Sequence, residues 1–299
     1  MKIQYLKNNE INYKKYDFCI EQSEQGTVYA MSWYLDIVSP GWGLLMADNY
    51  SYVMPIPVKK KSFIKYAIQP VLSQQLGIFS LKQLTPEILN NFTEAIPFGY
   101  CSFFLNAGNV FEECRQFKLK NNYVLDLNRK YEEIKSGFST NCLRNIKKAE
   151  TEKLIFSNNT NLDIYSATLK KYSVHESLLK NLDLLIAILK KTENLGTEIW
   201  NVSGENGEIL AIAPLIRWKN FMYYLAPVST GSGKQKCAMF FLLDRFIKEK
   251  SNSNLILDFE GSMIPGVAKF YIGFGSRNIP YPVFLKTNII YRGILYYKK

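Results

Sequence analysis

A single histidine, His175, stands in a chain of 299 residues, and that scarcity removes several chemistries together. A histidine-rich metal centre cannot be assembled from one imidazole. A Ser-His-Asp relay would have to run through a residue set between Val174 and Glu176 in a lysine-flanked helical stretch, a setting that suits an exposed or helix-capping side chain. No metal site is expected. Cysteine is sparse as well. Cys19, Cys101, Cys114, Cys142 and Cys237 are five, an odd number, widely spaced and without a C-x-x-C pair, which points to free thiols in a reducing compartment rather than to a disulfide framework. Long apolar runs are missing too. The longest, Leu182 to Leu189, is interrupted by Asp183 and falls far short of a bilayer span, and the start, MKIQYLKNNEINYKKYDF, has no apolar core of signal-peptide length. The expectation is a cytoplasmic protein with no transmembrane segment.

Acid is outnumbered by base, 26 residues to 37, for a formal net charge of +11. Basic residues gather at Lys59-Lys60-Lys61, from Arg144 to Lys153, at Lys234 and Lys236, and at Lys298-Lys299. Phosphorylated cofactors, RNA or an anionic membrane surface all suit that surplus, and so does a plain solvated face. With 47% hydrophobic and 14% aromatic residues the chain can bury a large core, and its length favours two compact units.

Tyr13 to Ser23 has helical spacing, with Tyr13, Tyr16 and Ile20 on one face. Strand character follows in Trp42 to Ala47 and Tyr50 to Val58 around an Asp48-Asn49 turn, with Pro55 and Pro57 implying an irregular end, and again in Ser62 to Gln69. Gln69, Gln74 and Gln75 then crowd an otherwise apolar loop. Buried amides need partners, so these either satisfy backbone groups or line a polar cleft as substrate contacts. Thr85-Pro86-Glu87 opens a helix, and Phe98 to Leu105 and Phe117 to Leu127 read as strands. A base-rich helix runs to Glu150, and its polar side, with Arg144 and Lys148, could meet phosphate. Helices over Asn161 to Lys171 and Glu176 to Lys191 lead to a three-strand meander, Thr197 to Ser203, Ile209 to Trp218 and Phe221 to Pro227. A turn, Gly231-Ser232-Gly233, a helix from Lys234 to Lys250, and final strands Tyr281 to Lys286 and Ile289 to Tyr297 complete the order.

The stretch Leu255 to Ser276 organises the second half. Leu255, Ile256 and Leu257 form an apolar run that ends in Asp258-Phe259-Glu260-Gly261, a strand finishing in carboxylates. Pro265 suits the first turn of a helix on which Val267, Phe270, Tyr271 and Phe274 recur at helical spacing. Strand ends of this kind are where open α/β sheets bind ligands.

Phe270-Tyr271-Ile272-Gly273-Phe274-Gly275 resembles the tyrosine-bearing helix of the GNAT superfamily of acyl-CoA N-acyltransferases, and the element order of residues 120 to 299 resembles that fold. The first half follows a similar, reduced plan. The implied architecture is α/β (α+β): two tandem GNAT-like units, residues 1–120 and 121–299, each a mixed, mostly antiparallel sheet flanked by helices. The tandem arrangement, with the Arg144-Asn145-Ile146-Lys147-Lys148-Ala149 helix and the Asp258-Phe259-Glu260-Gly261 strand end, is similar to the Fem-type aminoacyltransferases and their bacterial acyltransferase relatives.

The resemblance implies transfer of an acyl or aminoacyl group to an amine, small-molecule or peptide, with acyl-CoA or aminoacyl-tRNA as co-substrate and no permanently bound cofactor. tRNA is then a partner. Gly231, Ser232 and Gly233, before a helix and beside Lys234 and Lys236, could cradle a donor's phosphates. Val228 stands where the GNAT pattern has Gln or Arg, so CoA and aminoacyl-tRNA both stay open; a P-loop is excluded because Val228 and Gln235 occupy its required Gly and Ser/Thr positions. Glu260, or Asp258 through water, could take the amine proton, and the strand Tyr223 to Pro227, with Tyr224 as a substrate contact, could offer an N–H to the oxyanion. Tyr271 resembles the tyrosine that protonates a departing thiolate. Asp258 and Glu260 equally suit a structural role, pairing with Lys269 or capping the next helix. The competing reading is a module that kept the fold and lost the chemistry, binding RNA or anionic lipid-linked precursors.

Overall fold

A computed structural model describes residues 1–111 and 117–287. Cys114, the strand expected over Ile289 to Tyr297 and the Lys298-Lys299 tail lie outside them. The chain divides into two compact units, Met1–Lys120 with Pro280–Lys299, and Asn121–Ile279. The first break falls after Lys120, and Pro280 to Thr287 group with the first unit.

In the first unit the strands are β1 (Gln4–Leu6), β2 (Gly43–Ala47), β3 (Tyr52–Ile56), β4 (Val58–Lys61), β5 (Ile64–Ile68), β6 (Phe79–Ser80), β7 (Tyr100–Phe104) and β8 (Lys118–Lys120). Its helices are α1 (Tyr13–Gln22), α2 (Ser32–Val38) and α3 (Pro86–Glu94). In the second unit β9 (Tyr123–Asp126) leads to α4 (Tyr131–Ser136), α5 (Thr140–Glu150), β10 (Ile155–Ser157), α6 (Leu162–Tyr172), α7 (Glu176–Lys180) and α8 (Leu182–Thr192). The antiparallel meander β11 (Glu198–Ser203), β12 (Ile209–Trp218) and β13 (Phe221–Tyr224) follows, then β14 (Val228–Ser229), α9 (Gly231–Gln235), α10 (Ala238–Lys250), β15 (Ile256–Asp258), α11 (Pro265–Gly273) and β16 (Arg277–Asn278). Finally β17 (Tyr281–Thr287) returns to the first unit, antiparallel to β7 and β8.

The first unit holds two sheets, ordered β1-β2-β3-β6 and β4-β5-β7-β17-β8. Asp48, Asn49 and Tyr50 take left-handed conformations at the β2–β3 turn, as the Asp-Asn pair implies. Pro55 is tolerated inside β3 because β6 pairs only with Tyr52 and Val53, leaving that side of the strand open beyond them. Leu45, Met54, Leu89, Phe92, Phe103 and Phe284 meet in the core of this unit.

Several expected elements are divided. The helix expected over Glu176 to Lys191 splits at Asn181 into α7 and α8. Phe117 to Leu127 is not one strand: β8 and β9 enter different sheets, separated by Asn121-Asn122, where the units part. The Lys234 to Lys250 helix breaks at Cys237, whose φ of +56° ends α9 and starts α10.

The second unit carries one sheet in the order β10-β11-β12-β13-β15-β9-β16, with β14 added to β12. β13 and β15 are its parallel neighbours, paired from Phe221↔Ile256 to Tyr223↔Asp258. Helical capping is local and legible: Ser139 accepts from Cys142 N, Asn161 from Ile164 N and Thr230 from Gly233 N. The core centres on Phe259 and Phe274, both fully buried, with Trp200, Phe246, Leu257 and Tyr224 around them. Phe259 stacks on Tyr271 at 4.8 Å and meets Tyr224 edge to face at 6.0 Å, so strand β15 and helix α11 are joined through one ring. Phe259→Ala should therefore lower unfolding free energy by about 3–5 kcal/mol in a urea titration; a loss below about 1 kcal/mol would show that this ring is not central to the packing.

Candidate active site

Strand pairing stops where the site begins. Beyond Tyr223↔Asp258 the two parallel strands part, and each leaves through a left-handed residue, Ala226 at φ +46° and Glu260 at φ +58°. The outer chain stays with β12: Leu225 N–H donates to Pro214 O, and Val228 then pairs with Ile212, with one extra residue on the outer strand forming a bulge. The other chain stays with β9, Phe259 N–H donating to Tyr123 O at 2.9 Å. The sheet thus opens at the carboxyl end of β15.

A cavity of about 230 Å³ lies beside this opening. Tyr224, Pro227, Val228 and Ser229 line it from the parted strand, Val267, Phe270 and Tyr271 from α11, Met239 from α10 and Lys234 from α9. Tyr172, the last residue of α6, and Ser173 to His175 after it close another wall. The turn that carries Lys234 and the helix that carries Tyr271 therefore face one space.

Burial holds the Tyr271 hydroxyl well above the usual tyrosine range, and the charges of Glu260 and Asp258 raise it further. The phenol stays protonated and can donate. Tyr165, whose hydroxyl donates to Ala226 O at 2.9 Å, is raised in the same way, by burial and then by Glu260. Tyr224 is buried and raised too, so its role in the wall is that of a neutral, apolar ring with a polar tip. The Ala226 N–H has no partner among the described residues, which leaves a backbone donor at the parting point.

The two carboxylates do different work. Asp258 is buried, accepts from Asn122 Nδ2 at 3.1 Å and from Glu260 N at 2.8 Å, and burial pushes its carboxyl up to about 6. These two bonds tie Asp258 to the turn, and neither it nor Glu260 is among the residues that line the cavity. Glu260 is half-buried, and its left-handed backbone takes it out of the strand alternation that would have set both carboxylates on one face. Gly261, at φ +64°, follows because a side chain there would strike Asn121 O.

The glycine turn differs from the expected phosphate cradle. A Cβ on Gly233 would lie 1.9 Å from Leu210 O, so this glycine serves close packing of α9 on β12, and its N–H is held by Thr230 Oγ1 at 2.9 Å. Gly231 and Ser232 keep free amides among the described residues. Lys236 is paired with Glu152 at 3.2 Å, whereas Lys234 is exposed at the cavity rim without a partner among the described residues.

The remaining expected contacts lie elsewhere. Gln69 donates to Ser73 O and accepts from Phe104 N, while Gln75 accepts from Ala107 N and donates to Gln74 Oε1. Gln69 and Gln75 thus satisfy backbone groups of the first unit, and Gln74 supports Gln75. Arg144 and Lys148 are exposed on α5, with Arg144 donating to Asn141 Oδ1, and neither lines the cavity. His175, by contrast, does line it. A lone imidazole between Val174 and Glu176 carries no local signal of that; only the turn after α6 brings it to the cavity that Tyr224 and Tyr271 also line.

No family model matches the chain, and no curated protein matches it. Among solved structures it is similar to FemX, with a TM-score of 0.66 and 11% identity over 99% of this chain and 100% of the other. The C-terminal domain of a putative lysylphosphatidylglycerol synthetase from Agrobacterium fabrum is similar at a TM-score of 0.54 and 10% identity, covering 92% of each chain. A tandem GNAT protein from the clavulanic acid biosynthesis pathway follows at 0.53 and 8%, over 95% of this chain and 98% of that one. At such identities the likeness is one of fold, and the fold is tandem GNAT-like, as the element order implied.

Substitution separates packing from binding at the turn. Gly233→Ala should lower the melting temperature by several degrees, while Gly231→Ala, which meets nothing within 4 Å, should leave it nearly unchanged; equal effects would contradict the packing assignment. Asp258→Asn tests the buried carboxylate. Its raised folded-state pKa means that its ionisation costs stability as pH rises from about 4 to about 6, so the variant should gain on wild type by on the order of 2–3 kcal/mol across that window. A difference that stays flat in denaturant titrations from pH 4 to 7 would refute the shift.

Proposed function

We propose that the second unit transfers an acyl or aminoacyl group from a phosphate-bearing donor to an amine. The observation that carries this reading is the parted β13–β15 edge, which opens beside one cavity lined by Lys234 and Tyr271. Likeness of fold to FemX, to a lysylphosphatidylglycerol synthetase domain and to a tandem GNAT protein supports the same class.

In the proposed step the neutral amine attacks the donor's carbonyl carbon. A C–N bond forms, and the carbonyl oxygen becomes an oxyanion; the Ala226 N–H, free among the described residues, is the backbone donor assigned to it in this reading, a kind of contact worth on the order of 10²–10³ in rate. Glu260 takes the proton from the attacking nitrogen. Collapse of the intermediate breaks the bond from carbonyl carbon to the leaving sulfur or oxygen, and Tyr271 gives that atom its proton. The leaving group departs as a neutral thiol or hydroxyl, an amide remains, and the Glu260 proton restores Tyr271 through solvent. The raised Tyr271 pKa fits this role, because only the protonated phenol can donate.

Lys234 in the cavity wall supports a phosphate there, whereas the spent Gly233 amide and the paired Lys236 leave less than a full pyrophosphate clamp. Acetyl-CoA and aminoacyl-tRNA are therefore compared directly, with hydroxylamine as a general amine acceptor and hydroxamate as product. One donor class should yield hydroxamate, and Tyr271→Phe should reduce turnover about a hundredfold while donor affinity stays within about twofold. Wild-type protein that gives no hydroxamate from either donor, or full activity in Tyr271→Phe, would refute the proposal.

A further inference from the structure

The β4–β5 hairpin of the first unit carries a feature that amine acylation does not use. Its turn, Ser62-Phe63, places Phe63 at 86% exposure, the highest among the large apolar side chains described. Ser62 is left-handed at φ +58°, which makes the tip tight. Around it stand Lys59, Lys60, Lys61 and Lys65, with no Asp or Glu anywhere between Asp48 and Glu87. None of the four lysines joins an ion pair among the described residues. Lys60 and Lys65 are direct cross-strand partners, an arrangement whose repulsion an external anion would relieve.

The base of the hairpin is fixed while its tip is bare. Ala67 is fully buried and Ile64 nearly so, and β5 continues into the sheet alongside β7. β4 is the edge strand. A hairpin tip that ends in one exposed benzyl group, with lysines on both flanking strands, matches a bilayer interface: the ring enters the boundary between headgroups and acyl chains while the lysines meet lipid phosphates. Nucleic acid fits less well, because base stacking uses flat platforms or grooves, and the other aromatic of the hairpin, Tyr66, is already turned onto Tyr100 at 6.4 Å. Among the described residues no helix is long and apolar enough to cross a membrane, so this contact is peripheral.

We propose that the β4–β5 hairpin is an interfacial anchor that docks the protein on anionic phospholipid bilayers through Phe63 and Lys59, Lys60, Lys61 and Lys65. The test is co-sedimentation of the full chain with vesicles of phosphatidylcholine alone and of phosphatidylcholine mixed with phosphatidylglycerol. Wild type should bind the anionic vesicles alone, and added salt should release it. Each lysine removed should cost about fivefold in partitioning, so Lys59→Ala, Lys60→Ala and Lys61→Ala together should cost about a hundredfold. Phe63→Ser should cost about tenfold and Phe63→Trp should restore binding, with unchanged melting temperatures confirming that each variant is folded. No binding of wild type to anionic vesicles, or equal binding by all variants, would overturn the proposal. Binding to single-stranded RNA in place of vesicles, lost in the same variants, would overturn it in favour of nucleic acid. Neither result touches the transfer reading, which rests on residues of the second unit.

Discussion

The second unit depends on a hydrogen-bond ladder that ends early. Parallel strands β13 and β15 pair through Tyr223↔Asp258 and then each follows its outer neighbour, one β12 and the other β9. A sheet that continued would fill this space with backbone. Parting instead leaves an edge inside the sheet, and such an edge must be walled by side chains or used. Tyr224, Val228, Phe270 and Tyr271 wall it, leaving about 230 Å³ open.

That geometry is held by residues with little freedom of their own. Ala226 and Glu260 sit in the left-handed region, which side chains other than glycine adopt at a cost, and neighbours hold both. The Tyr165 hydroxyl bonds Ala226 O, and the Asp258 carboxylate bonds Glu260 N. Phe259, between Asp258 and Glu260, locks the turn to the core by stacking on Tyr271. The residue that orients the acid and the ring that orients the phenol are thus adjacent in the chain, so positioning of both groups is one packing problem rather than two.

The two halves of the expected donor site fared differently for a physical reason. Glycine before a helix is read as a place where a ligand comes close, but close approach of a neighbouring strand makes the same demand. At Gly233 the strand is β12. Lysines face a similar ambiguity: Lys236 found Glu152 across the fold, while Lys234, two residues away, did not. The amides of Gln69 and Gln75 show the other side of it, since an apolar loop with unpaired carbonyls and N–H groups needs them for its own backbone.

Local order is what the chain by itself determined. The α1 and α3 helices, the Asp48-Asn49 turn, the meander β11 to β13, the strand ending in Asp258 and the helix bearing Tyr271 all follow from side-chain periodicity, capping and turn chemistry, which act over a few neighbouring residues. Which partner each strand and each charge would take was decided by tertiary structure alone. The return of β17 to the first unit, the parting of β13 from β15 and the arrival of His175 at the cavity that Tyr271 lines depend on contacts between residues far apart in the chain, and no short-range pattern records them.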